Sequence, residues 1–236
     1  MNSELFLDGV CVDRSGGRIV SDVTIRVRPG EVTTLVGPNG AGKTTLLEAV
    51  SGLVATTGGA ISCDGHDITK LSKVERRRLG IVHVEQGRTV FGSLSVMENL
   101  RVATRSAAEI ERAFDLFPEL AKRRDSDATL LSGGEQQMLV LARALVTAPR
   151  FMLVDEMSLG LAPAVFGRLL PMMTAFAEDG MGVLLVEQFA QMALGISTGA
   201  AVIAGGRLTY SGTAQTLVDD PDLLHSSYMG TSATRA

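Results

Sequence analysis

The stretch GPNGAGKT, Gly37-Pro38-Asn39-Gly40-Ala41-Gly42-Lys43-Thr44, lies between the apolar runs EVTTLV and TLLEAVSGL. Its spacing fits G-x-x-x-x-G-K-[ST], and strand before, helix after is the context in which such a loop cradles phosphates. The glycines let backbone N–H groups turn inward around the α- and β-phosphates. Lys43 brings a point charge to the β- and γ-phosphates, and Thr44 offers a hydroxyl to Mg²⁺. Thr45 completes the nucleotide-binding set at the start of the helix.

Working outward, the first third alternates strand-like runs (LFLDGVCV, DVTIRVR, EVTTLVG, GAISCDG) with Gly-rich turns. Apolar positions at helical spacing in SVMENLRVA and EIERAFDLF predict a mostly helical insert from about 93 to 124. From Leu131 the order is helix, strand, helix, strand, helix and then a hairpin, AAVIAGGRLTYSG. Strands alternating with helices imply a largely parallel sheet covered on both faces. A short helix and a frayed end are expected after Asp220. FMLVDE, Phe151 to Glu156, is an apolar run ending in two acids, as when a buried strand delivers a carboxylate to a metal at the sheet edge. Asp155 is the expected Mg²⁺ ligand, through water, and Glu156 the expected general base for the attacking water.

The 236 residues are 45% hydrophobic, enough for one sizeable core, and the net charge of −4 gives no basic field for nucleic acid. Cys11 and Cys63 lack metal-ligand spacing, so free thiols in a reducing compartment are expected. MNSELFLDGV has no secretory pattern, and the uncharged stretch from Phe189 to Gly206 is too rich in Gly, Ser, Thr and Gln to read as a membrane span. The run Arg76-Arg77-Arg78 reads as a solvated helix face. The three histidines form no ligand pair and are expected to be structural.

The phosphate loop alone does not choose among kinases, GTPases and transport ATPases. LSGGEQQ, Leu131 to Gln137, does: it resembles the signature of ATP-binding cassette ATPases. Ser132 can donate to a phosphate oxygen, Gly133 and Gly134 permit close backbone approach, and the helix that follows aims its positive end at the anion. Locally the same residues form an N-terminal capping pattern. EQGRTVFGSLSVMENL, DLFPELAKRR, DEMSLGLAP and LVEQFA extend the resemblance over nearly the whole chain, toward the smaller cassette of branched-chain amino acid importers.

That resemblance implies a single cassette domain over 1–236. Its nucleotide-binding core spans about 1–85 and 148–236, and the glutamine loop, helical subdomain and signature helix span 86–147. The implied fold is α/β, a mixed, largely parallel core sheet joined to an antiparallel N-terminal β subdomain. ATP and Mg²⁺ are the implied cofactors. In this family Ser132, Gly133, Gly134, Glu135 and Gln137 act on the ATP of a second cassette, identical or different, facing head to tail. Two transmembrane permeases and an extracytoplasmic solute-binding protein complete the implied assembly, which places the chain in the cytoplasm on the inner face of the membrane. Importers of urea, short amides or other small solutes are alternatives, and a non-transport cassette is a more distant one.

Carried over by position, Gln86 reaches the nucleotide and metal, Gln188 stands where most cassettes have a histidine beside the γ-phosphate, and Glu187 has no catalytic role. The stretch from Gln86 to about Arg101 is the expected dock for a permease helix, with Phe91 and Leu94 as exposed anchors or core residues. Three departures stand out. Glu85 replaces the proline usual in this branch, Met157 replaces the proline after the catalytic acid, and Val10 to Ile19 holds no aromatic ring for adenine. Arg14 is either a substitute stacking partner or a solvated loop residue.

Overall fold

The computed structural model describes residues 3–230. Among these the chain runs β1 (Leu5–Arg14), β2 (Gly17–Val27), β3 (Val32–Val36), α1 (Lys43–Ser51), β4 (Gly58–Cys63), β5 (His66–Asp67), α2 (Lys73–Arg78), β6 (Ile81–Val84), α3 (Val96–Ala103), α4 (Ala107–Leu116) and α5 (Pro118–Ala121). It continues through α6 (Gly133–Leu145), β7 (Phe151–Asp155), α7 (Pro163–Glu178), β8 (Gly182–Val186), α8 (Ala190–Leu194), β9 (Gly199–Ala204), β10 (Arg207–Thr213), α9 (Ala214–Asp219) and α10 (Pro221–Tyr228). The frayed end expected beyond α10 falls largely on 231–236, outside the described residues.

Two sheets divide the work. One is antiparallel, in the order β2-β1-β4-β5, and the other runs β10-β9-β3-β8-β7-β6 with β9, β3, β8, β7 and β6 parallel. Every residue of β3, β7 and β8 is buried, which is why these strands read as unbroken apolar runs rather than alternating ones. Their side chains still alternate. Phe151 and Leu153 of β7 join β1, β2 and α1 in one core, while Met152 and Val154 face α6 and α7 in the other. The helical segment α3 to α5 packs Leu100, Ile110, Phe114, Phe117 and Leu120 into that second core.

Helix starts follow local chemistry: Ser72, Ser95 and Ser132 each form a reciprocal cap with a glutamate three residues on. The arginine run departs from expectation. Arg77 and Arg78 are exposed, but Arg76 is 2% exposed and donates to the carbonyls of Ala49, Val50, Thr69 and Leu71. A guanidinium presents five donors in a fixed fork, so it can satisfy the Val50 carbonyl at the end of α1 and add a second donor to that of Ala49, which also accepts from the Gly52 N–H. Among the described residues no helix is long and apolar enough to cross a membrane.

Candidate functional site

The parallel strands β3, β8, β7 and β6 are neighbours, so the residues that follow their C-terminal ends meet on one edge. A cleft of about 340 Å³ lies there, lined by the phosphate loop, Gln86, Glu156 and Gln188. The loop is shaped by two glycines in particular. A Cβ at Gly37 would stand 2.0 Å from the Ile203 carbonyl, and Gly42 caps α1 at φ 103 with the Ile19 carbonyl 3.0 Å from where its Cβ would be.

Lys43 opens α1 and is 4% exposed. Its ammonium donates to the carbonyls of Gly37 (2.9 Å) and Pro38 (3.1 Å) and lies 3.8 Å from Glu156 Oε1. Burial lowers its pKa, against the opposing pull of Glu156 and Asp155. Glu156 stands just past β7 in a left-handed backbone conformation, φ 44, that is uncommon for a residue with a Cβ. Its Oε2 accepts from Gln86 Nε2 at 2.9 Å and from Gln188 Nε2 at 3.0 Å. Two amides and an ammonium from three separate chain segments thus fix one carboxylate.

Asp155 is 1% exposed, and neither carboxylate oxygen has a hydrogen bond of good geometry, although the Thr44 hydroxyl lies beside it. Burial is the main reason its pKa rises to about 6; the Thr44 hydroxyl and Lys43 pull the other way. Among the described residues no three His, Cys, Asp or Glu side chains form a metal cage. An orphaned carboxylate beside a hydroxyl instead fits a hard cation that takes its remaining ligands from water and phosphate, as Mg²⁺ does.

Asn39, Gly40, Thr44 and Thr45 line the same cleft, and Pro38 and Ala41 lie in the loop between them. Ser132, Gly133, Gly134, Glu135 and Gln137 do not line it. Ser132 caps α6, its Oγ accepting from the Glu135 N–H while its own N–H donates to Glu135 Oε2, and Gln137 is buried. Arg14 is absent from the cleft and pairs with Glu48 of α1 at 2.5 Å.

Three further residues escape a reading by local pattern. Arg88 donates to the Gly160 carbonyl at 2.7 Å, and its Nη1 lies 2.6 Å from where a Cβ at Gly133 would sit, so one guanidinium bridges the start of α6 and the turn after β7. Glu187 is fully buried and accepts from the Ser158 hydroxyl (2.5 Å) and N–H (3.3 Å). Burial pushes its pKa up to about 7 despite those donors. Asn99 is buried and clips the loop before α3, donating to the carbonyls of Phe91, Leu94 and Ser95 and accepting from the Phe91 N–H. Phe91 is left 44% exposed under Arg143, while Leu94 is half-buried. Glu187, an acid closing a buried strand, and Asn99, a polar side chain on a helix that packs into the core, leave traces in the sequence; Arg88 leaves none.

A family profile described as ABC transporter matches residues 20–158. The chain is 36% identical over 215 residues, 89% of it and 92% of the relative, to the high-affinity branched-chain amino acid transport ATP-binding protein BraG of Pseudomonas aeruginosa. It is 34% identical over 213 residues, 87% of it and 88% of the relative, to the lipopolysaccharide export system ATP-binding protein LptB of Escherichia coli strain K12. Its fold matches the crystal structure of the ADP conformation of MJ1267, an ATP-binding cassette of an ABC transporter, with a TM-score of 0.86 at 24% identity over 98% of this chain and all of that one. A phosphate loop, a buried pair of acids at the end of β7 and a capped LSGGEQQ helix on this fold agree with those matches: the chain belongs to the ABC transporter family and is an ATPase subunit of a transporter.

Proposed function

We propose that this chain hydrolyses ATP to energise the import of branched-chain or related amino acids. The observation that carries the hydrolytic part is the Glu156 carboxylate, held by Gln86, Gln188 and Lys43 at the mouth of the phosphate loop. The loop amides and Lys43 bind the phosphates, and Glu156 takes the proton of the attacking water. Asp155, through water, and Thr44 would hold Mg²⁺, which when bound would supply positive charge against the phosphates. Gln86 and Gln188 orient Glu156 in the state described, and each can turn its amide toward the γ-phosphate once nucleotide is present. Being neutral, Gln188 does this without titrating near pH 7.

The signature lies outside the cleft of its own chain, which supports a second cassette, identical or different, facing this one head to tail so that Ser132, Gly133, Gly134 and Glu135 reach its ATP, with Gln137 buried behind them. Two permeases and an extracytoplasmic binding protein complete the assembly, with this chain peripheral on the cytoplasmic face of the membrane. Similarity to BraG supports amino-acid import, and similarity to LptB favours export of a lipid-linked glycan as the second reading.

One replacement in the native host tests both. Glu156→Gln in place of the wild-type residue should abolish uptake of labelled leucine, isoleucine and valine while the complex still assembles. Unchanged uptake would refute the import reading, and glycolipid stalled at the inner membrane would establish the second.

A further inference from the structure

We infer that Tyr228, the last residue of α10 and outside the cleft, is a positioning residue that anchors the start of the phosphate loop and thereby sets the affinity for ATP; this rests on the nucleotide-binding reading above. The loop leaves β3 at Val36, which is buried and pairs with Val202 of β9. Val36 and Val202 share a small core with Leu217 and Leu224, and the half-buried Tyr228 packs against it. The backbone N–H of Gly37, the first residue of the loop, donates to the Tyr228 hydroxyl. Burial holds this phenol above its ordinary range in spite of that bond, so it stays neutral and accepts near pH 7. Gly37 also meets the Ile203 carbonyl, 2.0 Å from where a Cβ would stand, so β9 and α10 grip the same buried residue.

The helix end that carries the ring is itself tied down. Ser227 is fully buried, and its carbonyl accepts from the Thr209 hydroxyl of β10 at 2.9 Å. The Tyr228 ring also borders a groove of about 580 Å³ between α8 and α10 that Gln188 lines, and Gln188 in turn lines the cleft. Tyr228 therefore stands behind the phosphate-binding edge without reaching the phosphates. A loop whose amides are already arranged for an anion binds it more tightly than one that must be ordered on binding. Phenylalanine at 228 would keep the packing of the ring and remove the acceptor, leaving a buried N–H without a partner at the root of the loop.

Calorimetry on the full chain with Mg²⁺ and either ATP or inorganic triphosphate tests this. Tyr228→Phe should weaken both ligands by about three- to tenfold. Tyr210→Phe is the control: it removes a hydroxyl bonded to the Thr213 carbonyl from a ring packed against the same core, and should leave both affinities unchanged. In hydrogen–deuterium exchange the peptide from Val36 to Lys43 should label faster in Tyr228→Phe than in the wild type. Wild-type affinity in Tyr228→Phe would overturn the inference. An equal loss in both variants would do so too, since it would trace the effect to the packing of the core. Triphosphate binding that survives Lys43→Ala would sink the nucleotide reading of the cleft itself, whereas binding lost there and unchanged in Tyr228→Phe would refute the positioning role alone.

Discussion

Two glutamates at the ends of the adjacent strands β7 and β8 show how environment divides one side-chain chemistry into different duties. Glu156 is gripped by donors yet opens to the cleft, whereas Glu187 is sealed against Ser158 in the turn that follows it. A carboxyl whose pKa is about 7 in the fold, against an ordinary 4.5, binds more protons folded than unfolded. Its contribution to stability therefore falls as pH rises from about 4.5 to 7 and levels off above that. Glu187→Gln removes this titration. Urea denaturation across pH 5 to 8 should show the variant gaining about 1–3 kcal/mol on the wild type, and parallel profiles would contradict a buried, titrating carboxyl. Lys43→Ala should cost ATP binding, and Glu156→Gln should stop turnover while leaving that binding intact; normal turnover by the second variant would remove Glu156 as base. Gln188→Ala and Gln188→His can be compared in the assembled complex, where equal wild-type turnover in both would return Gln188 to a structural role.

Among the elements, α7 carries Pro171 in its interior and is nevertheless a helix of 16 residues. Proline removes one N–H and leaves the carbonyl of Gly167 without its helical partner. Burial of Phe166, Leu169, Leu170, Met173 and Phe176 on one face outweighs that loss. Pro171 itself is exposed, so Pro171→Ala should stabilise the protein by about 1–3 kcal/mol in thermal denaturation without altering ATP turnover. Arg76→Ala should act oppositely and cost about 3 kcal/mol, because the buried Val50 carbonyl and the part-buried carbonyls of Thr69 and Leu71 lose the guanidinium and Ala49 loses one of its two donors. These cases mark what was legible in the sequence. The helix around Pro171, the strand before GPNGAGKT and the hairpin at 200–212 announce themselves by period and turn residues. So do Lys43, Asp155 and Glu156, whose chemistry sits within short contiguous stretches. The burial of Arg76 and the bridge made by Arg88 do not, since their partners are up to 72 residues away and are ordinary carbonyls.

At the scale of the whole molecule, the loop clipped by Asn99 presents Phe91 under Arg143, which also lines a groove with Arg77 and the Lys73–Glu85 ion pair. This exposed ring under one arginine is our candidate for the permease dock. Phe91→Ala should leave ATP binding by the isolated chain unchanged and reduce co-purification with the permeases, and full assembly would argue against it. The Arg88 bridge also bears on motion. The Gly133 end of α6 and the Leu159–Gly160 turn, both packed against the Arg88 guanidinium, should open as a single cooperative unit rather than independently. In hydrogen–deuterium exchange, Arg88→Ala would then speed labelling simultaneously in the two peptides around Gly133 and Gly160, remote from Arg88 in the chain.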